Sequence, residues 1–126
     1  MNTLLWVVQS IVALVFIYSG VNKSLFSEKK LVASGQTGVE SLPLGLIRFI
    51  GISEILGAFG LVLPGLLKIL PILTPISAFC FSAIMIPAAV IHFKREEYKN
   101  VITNILLFFV CLFIAFYRIY LSNYIL

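Results

Sequence analysis

Charge is scarce in this chain: Lys, Arg, Asp and Glu make up 11% of its 126 residues, against about 25% in soluble domains. That shortage argues against a soluble fold, because 61% of the residues are hydrophobic and a core this small could not bury them. Histidine occurs once, as His92, which excludes bis-histidine haem ligation or a three-histidine zinc site within one chain. The two cysteines, Cys80 and Cys111, form neither C-x-x-C nor a metal or Fe–S spacing. Counted along their helices they fall at similar depths, where they read as small apolar core residues that would approach only if their helices are neighbours. No dinucleotide fingerprint is present, and G-Q-T-G at Gly35 to Gly38, without a preceding strand or a G-K-[ST] ending, is a turn. A basic n-region and an A-x-A-like cleavage site are missing before Lys23, so the first apolar run reads as an anchor and not a signal peptide. The formal charge of +4 is spread over span ends and loops without a basic stripe; this excludes nucleic acid as partner and points to lipid headgroups.

What the chain does contain is apolar length. Mean hydropathy is +1.12, and four stretches, at about residues 3–22, 43–63, 69–93 and 101–121, match the roughly 20 residues needed to cross a hydrocarbon core. They predict an all-α transmembrane four-helix bundle of up-down-up-down order, a single domain over residues 1–126. Between helices one and two, Ser27 before Glu28, Lys29 and Lys30, with Gly35 after Ser34, has the start and stop chemistry of a short helix. Its apolar positions place it on the membrane interface. Loops one and three carry Lys23, Lys29, Lys30, Lys94, Arg95 and Lys99, whereas the other face has Lys68 and Arg118. That bias puts both loops in the cytoplasm and both termini outside a plasma (inner) membrane.

Polar residues inside the spans need an explanation. Gln9 and Ser10 suit interhelical hydrogen bonding. Glu54 lies about 16 Å into helix two and Arg48 about 7 Å, so Glu54 is near mid-bilayer, where a charge costs about 2.5–3.5 kcal/mol. Six residues separate the two, some 120° around the helix, so each needs a partner on another helix or water. Gly51, Glu54 and Ala58 share one face, and Ser53, Gly57 and Gly60 the next, which sets Glu54 at a helix–helix contact. Ser82, at the same depth, is the expected hydrogen-bond partner. Glu54 is then either a neutral carboxyl held in the core or a functional group.

Pro71, Pro75 and Pro87 crowd helix three. Pro75 and Pro87 are expected to kink it and free the carbonyls of Pro71 and Ala83. His92 closes that helix, as a helix-end residue favoured by the dipole or as a ligand or proton relay. Lys94 to Asn100 is expected as a solvated loop. At the far end of helix four, Tyr117, Tyr120 and Tyr124 mark an interface with Trp6, and Arg118 is expected to snorkel to its headgroups. Lys23, Arg48, His92 and Asn104 all fall on the loop-one and loop-three side, so they can line one funnel with Glu54 at its floor.

Y-S-G-V-N-K at Tyr18 to Lys23, R-x-x-G-x-x-E-x-x-G-x-x-G-L-x-x-P from Arg48 to Pro64, P-A-A-V-I-H at Pro87 to His92, and Asn104 before the last apolar run together resemble the DoxX-like family of small four-helix membrane proteins. The resemblance spans nearly the whole chain. It implies the four-helix fold, and a role either as a small membrane subunit in quinone-linked sulfur oxidation or as an accessory or chaperone-like protein. Its polar pattern carries over to Lys23, Arg48, Glu54, His92 and Asn104 as ligand-binding positions. Departing from similar-sized disulfide–quinone oxidoreductases, the chain has no paired cysteines, and no catalytic residue is assigned. The expected activity is therefore binding of a quinone, lipid or small amphiphile, with a homodimer mate or protein partner allowed. A membrane subunit of a quinone-linked oxidoreductase with its redox centres on a partner is the alternative, followed by a small proton-coupled transporter.

Overall fold

Four long helices follow from the four apolar runs. The computed structural model describes residues 2–40 and 42–122, with α1 (Asn2–Leu25), α2 (Glu28–Ala33), α3 (Leu44–Leu67), α4 (Leu73–Lys94) and α5 (Tyr98–Ser122); Tyr124 lies outside the described residues. Each long helix has 22 to 25 residues, about 33 to 38 Å at the helical rise, enough to cross a bilayer. Their outward positions are apolar too: Leu14, Leu56 and Phe49 are each about two-thirds exposed, as are many others. Such a surface suits lipid and not water. The order is up-down-up-down, α1 packed on α3 and α4 on α5, with α3 against α4 closing the bundle.

The short interfacial helix forms where Ser27 predicts it. The Ser27 hydroxyl accepts the Lys30 amide at 3.2 Å, and Gly35, with φ of 103°, ends α2. Gln36 N–H reaches Leu31 O at 2.9 Å and Gly35 N–H reaches Val32 O at 3.1 Å, the paired bonds of a Schellman ending, which favours a residue without a Cβ. Leu31, Val39 and Ile47 bury together beneath this segment, so loop one is packed down on the start of α3.

Helix boundaries differ from expectation around the prolines. α3 continues through Pro64 to Leu67, where a stop was expected at Pro64-Gly65. A proline ring removes one amide and crowds the turn before it, yet the helix runs on unbroken through Pro64. Lys68 (φ 56°) and Leu70 (φ 43°) are left-handed, so the turn consumes residues assigned to helix three, and α4 starts at Leu73. Pro75 therefore sits in the first turn, where its missing N–H costs nothing, and the Pro71 carbonyl accepts Thr74 N–H at 3.3 Å. Only Pro87 lies in the α4 interior. The expected loop from Lys94 to Asn100 also shrinks, because α5 begins at Tyr98.

In the half of the bundle away from loops one and three, each long helix gives one group to a single polar layer. Gln9 of α1, 1% exposed, donates to the Leu61 carbonyl of α3 at 2.7 Å. The Thr74 hydroxyl of α4 donates to the same oxygen at 3.3 Å. Arg118 of α5 donates to the Gln9 side-chain oxygen and lies 5.2 Å from the Trp6 ring centre. Arg118 thus turns inward instead of snorkelling outward, because Gln9 and the ring offer an acceptor and a π-face within reach.

Packing above this layer is tight. Phe16 and Phe81 stack with centroids 3.8 Å apart within a core that includes Val12, Leu61 and Ile114. Cys111 is buried there, whereas Cys80 faces outward on α4, so the thiols stay free although their helices are neighbours. α1 and α3 cross at two glycines. A Cβ on Gly20 would lie 2.6 Å from the Gly51 carbonyl oxygen, and one on Gly51 2.8 Å from that of Gly20. Neither backbone can yield locally, so Gly51→Ala should force the helices apart and lower stability by about 1–3 kcal/mol, read as a lower melting temperature of the detergent-solubilised protein. A melting temperature equal to wild type would show that the crossing is not this close.

Candidate functional site

The glycine crossing places the charged residues. Lys23, one turn beyond Gly20, rests with its Cβ against Gly51, and Glu54 is one turn along α3 from Gly51. Lys23 Nζ is 2.5 Å from Glu54 Oε1, with the Glu54 side chain 3% and that of Lys23 16% exposed. Glu54 is therefore answered by a cation on α1. Ser82, its expected partner, instead donates to the Phe108 carbonyl at 3.1 Å, since α4 faces α5 at that point.

Arg48 also turns to α1, though not to a side chain. Its Nη1 donates to the carbonyl oxygens of Lys23 at 2.6 Å and Phe26 at 2.5 Å. Carbonyls at a helix C-terminus have no intrahelical partner, and a cation there also meets the negative end of the helix dipole. Arg48 and Glu54 thus each find a partner on α1, as their angular separation requires.

Beside the Lys23–Glu54 pair lies a cavity of about 410 Å³. Lys23, Glu54, His92 and Asn104 line it, whereas Arg48 does not. Its walls are otherwise mainly apolar, from Phe16, Ile50, Met85 and Leu107 among others. Pro87 removes the α4 amide that would bond to Ala83, and the cavity lies against this stretch through Ile84, Pro87 and Ala88. Gln36 and Val39 of loop one also line it, and the Ser19 hydroxyl lies 3.4 Å from Gln36 Oε1. The Asn104 side-chain nitrogen is buried without a hydrogen-bond partner.

Loop three meets loop one over this end of the bundle. Arg95 Nη2 pairs with Glu40 Oε2 at 2.6 Å, and Arg95 Nε with Glu97 Oε1 at 3.2 Å. Glu97 Oε1 also lies 2.8 Å from His92 Nδ1. A Schellman ending positions Glu97: Glu96 is left-handed at φ 61°, and the Glu97 N–H returns to the His92 carbonyl at 2.9 Å. The Glu97 carboxyl is held below its ordinary range, first by the adjacent Thr37 hydroxyl, then by His92 and Arg95. That hydroxyl is buried without a well-aligned hydrogen bond, so its effect is one of proximity. Arg95 is pushed up, chiefly by its bond to Glu40.

Sequence reasoning did not find Glu97, Glu40 or Gln36. K-R-E-E-Y-K-N reads as solvent-facing charge unless the left-handed turn at Glu96 is known, and nothing in loop one marks Gln36 as a wall. Among the described residues, no three His, Cys, Asp or Glu side chains gather as a metal site.

Four spanning helices with an apolar exterior and a polar-floored cavity define a small multi-pass integral membrane protein. The chain belongs to the DoxX-like family, whose model matches residues 7–114. No curated protein and no solved structure matches it.

The geometry leads to two outcomes. Removing one partner of a buried pair leaves the other charge uncompensated, so Glu54→Leu should destabilise by about 3–5 kcal/mol, while Lys23→Met/Glu54→Leu should recover most of the loss. Thermal melts of both variants check this; additive losses would show no coupling. For Glu97, a lowered folded-state pKa means its contribution is present above the ordinary carboxyl value of about 4.3 and is lost as pH falls through the lowered value. Melting temperature should therefore drop below about pH 4.3, less steeply in Glu97→Gln, as a pH series of melts will show.

Proposed function

We propose that this protein is a non-enzymatic binding or accessory subunit that holds a quinone, lipid or other small amphiphile within the bundle. The observation that carries this reading is the convergence of Lys23, Glu54, His92 and Asn104 on one largely apolar cavity. A few placed polar groups in an apolar wall are the usual composition of a small-molecule site, and the volume is within the usual range of about 300–1,000 Å³. The apolar walls take a tail and the polar floor orients a headgroup. A quinone fits these residues, since its carbonyl can accept from the Asn104 amide while the ring lies among apolar side chains. Arg48 holds the end of α1 in place and so supports the Lys23 side of the site. The concentration of Lys and Arg in loops one and three favours a cytoplasmic position for the cavity end, in the plasma (inner) membrane.

Mass spectrometry of protein extracted from native membranes tests this. Wild type should carry a co-purified amphiphile. Ala88→Phe, which fills the cavity from α4, should lose it while keeping its melting temperature. Absence of any amphiphile from wild type, or undiminished retention in Ala88→Phe, would reject the cavity as its site.

A further inference from the structure

We infer that the cavity selects an uncharged oxygen-bearing headgroup and rejects anions of the same chain length. This inference rests on the binding reading above and narrows its ligand class.

The lining residues able to carry positive charge are already engaged. Lys23 is in contact with Glu54, so the pair adds no net charge to the wall. Arg48, the other cation at this depth, is outside the lining and spends its guanidinium on the Lys23 and Phe26 carbonyls. His92 faces Glu97 through Nδ1. A carboxylate only accepts hydrogen bonds, so Nδ1 carries the proton of this bond, and Glu97 answers whatever charge the ring holds. An anion entering this wall would meet no uncompensated positive charge and would pay its desolvation without return.

What the wall offers is a donor without a partner. The Asn104 amide nitrogen is buried, unpartnered and on the cavity side of α5. A buried donor without a partner is unfavourable, and a carbonyl or hydroxyl oxygen on the ligand satisfies it. A hydroxyl can donate in turn to the Glu54 carboxyl, which lines the same wall. Hydrogen-bond demand and charge neutrality therefore select the same chemistry: glycerol esters, long-chain alcohols, or quinones and quinols, over phosphates and carboxylates.

The test uses the full chain in lipid nanodiscs, with 1-decanoylglycerol and decyl phosphate as probes of equal chain length. Native mass spectrometry titrations should show decanoylglycerol binding about tenfold or more tightly than decyl phosphate. Asn104→Leu should weaken decanoylglycerol about fivefold, the value of one hydrogen bond. Its melting temperature without ligand should equal or exceed that of wild type, because the lost donor has no internal partner. Decyl phosphate binding as tightly as decanoylglycerol, or unchanged decanoylglycerol affinity in Asn104→Leu, overturns the inference while the binding reading stands. If neither probe binds a wild-type protein whose cavity Ala88→Phe also leaves unchanged in occupancy, the binding reading falls with it.

Discussion

The ion pair between Lys23 and Glu54 is the interaction on which the remainder of this structure depends. A carboxylate at mid-bilayer depth is tolerated only beside a partner, and that partner is drawn from the last turn of α1. Where the two meet, α1 and α3 come closer than ordinary side chains permit, and Gly20 and Gly51 allow that approach. Arg48 then holds the carbonyl end of α1 through the oxygens of Lys23 and Phe26. The charges, glycines and arginine that seemed separate anomalies in an apolar chain act together at one helix contact.

The cavity is a by-product of the packing on the other side of that contact. Pro87 lacks the amide that would bond to Ala83, and Ser82 is engaged with α5. Nothing from α4 therefore fills the space beside Glu54. Loop one, packed down by Leu31, Val39 and Ile47, supplies part of the wall, and loop three is joined to it by Arg95 and Glu40. The polar side chains facing this space are thereby fixed by partners behind them: Lys23 by Glu54, and His92 by Glu97.

Much of this was legible in the sequence, and the misses have a common cause. Hydropathy reports where a chain enters lipid, so the four spans were readable to within a few residues. The 120° between Arg48 and Glu54 was enough to show that they do not pair with each other. Hydropathy does not report how a helix is turned about its axis. Ser82 has the right depth for Glu54 but faces Phe108, and Arg118 lies at a helix end yet points at Gln9. Backbone rules were similarly incomplete. Pro64 looked like a stop because an isolated helix tends to break there, whereas α3, packed between α1 and α4, runs on to Leu67. Glu96 adopts a left-handed turn that its residue type does not announce, so the placement of Glu97 beside His92 could not be read from K-R-E-E.

The layer formed by Gln9, the Leu61 carbonyl, Thr74 and Arg118 joins all four long helices at a single depth. At the opposite end, the loops are joined by ion pairs of partly exposed groups, which water and salt screen. Loop three is therefore held to loop one more lightly than the four helices are held at this layer. Local opening is accordingly easiest where these two loops meet, so backbone amides beside Glu97 exchange with solvent sooner than those beside Leu61.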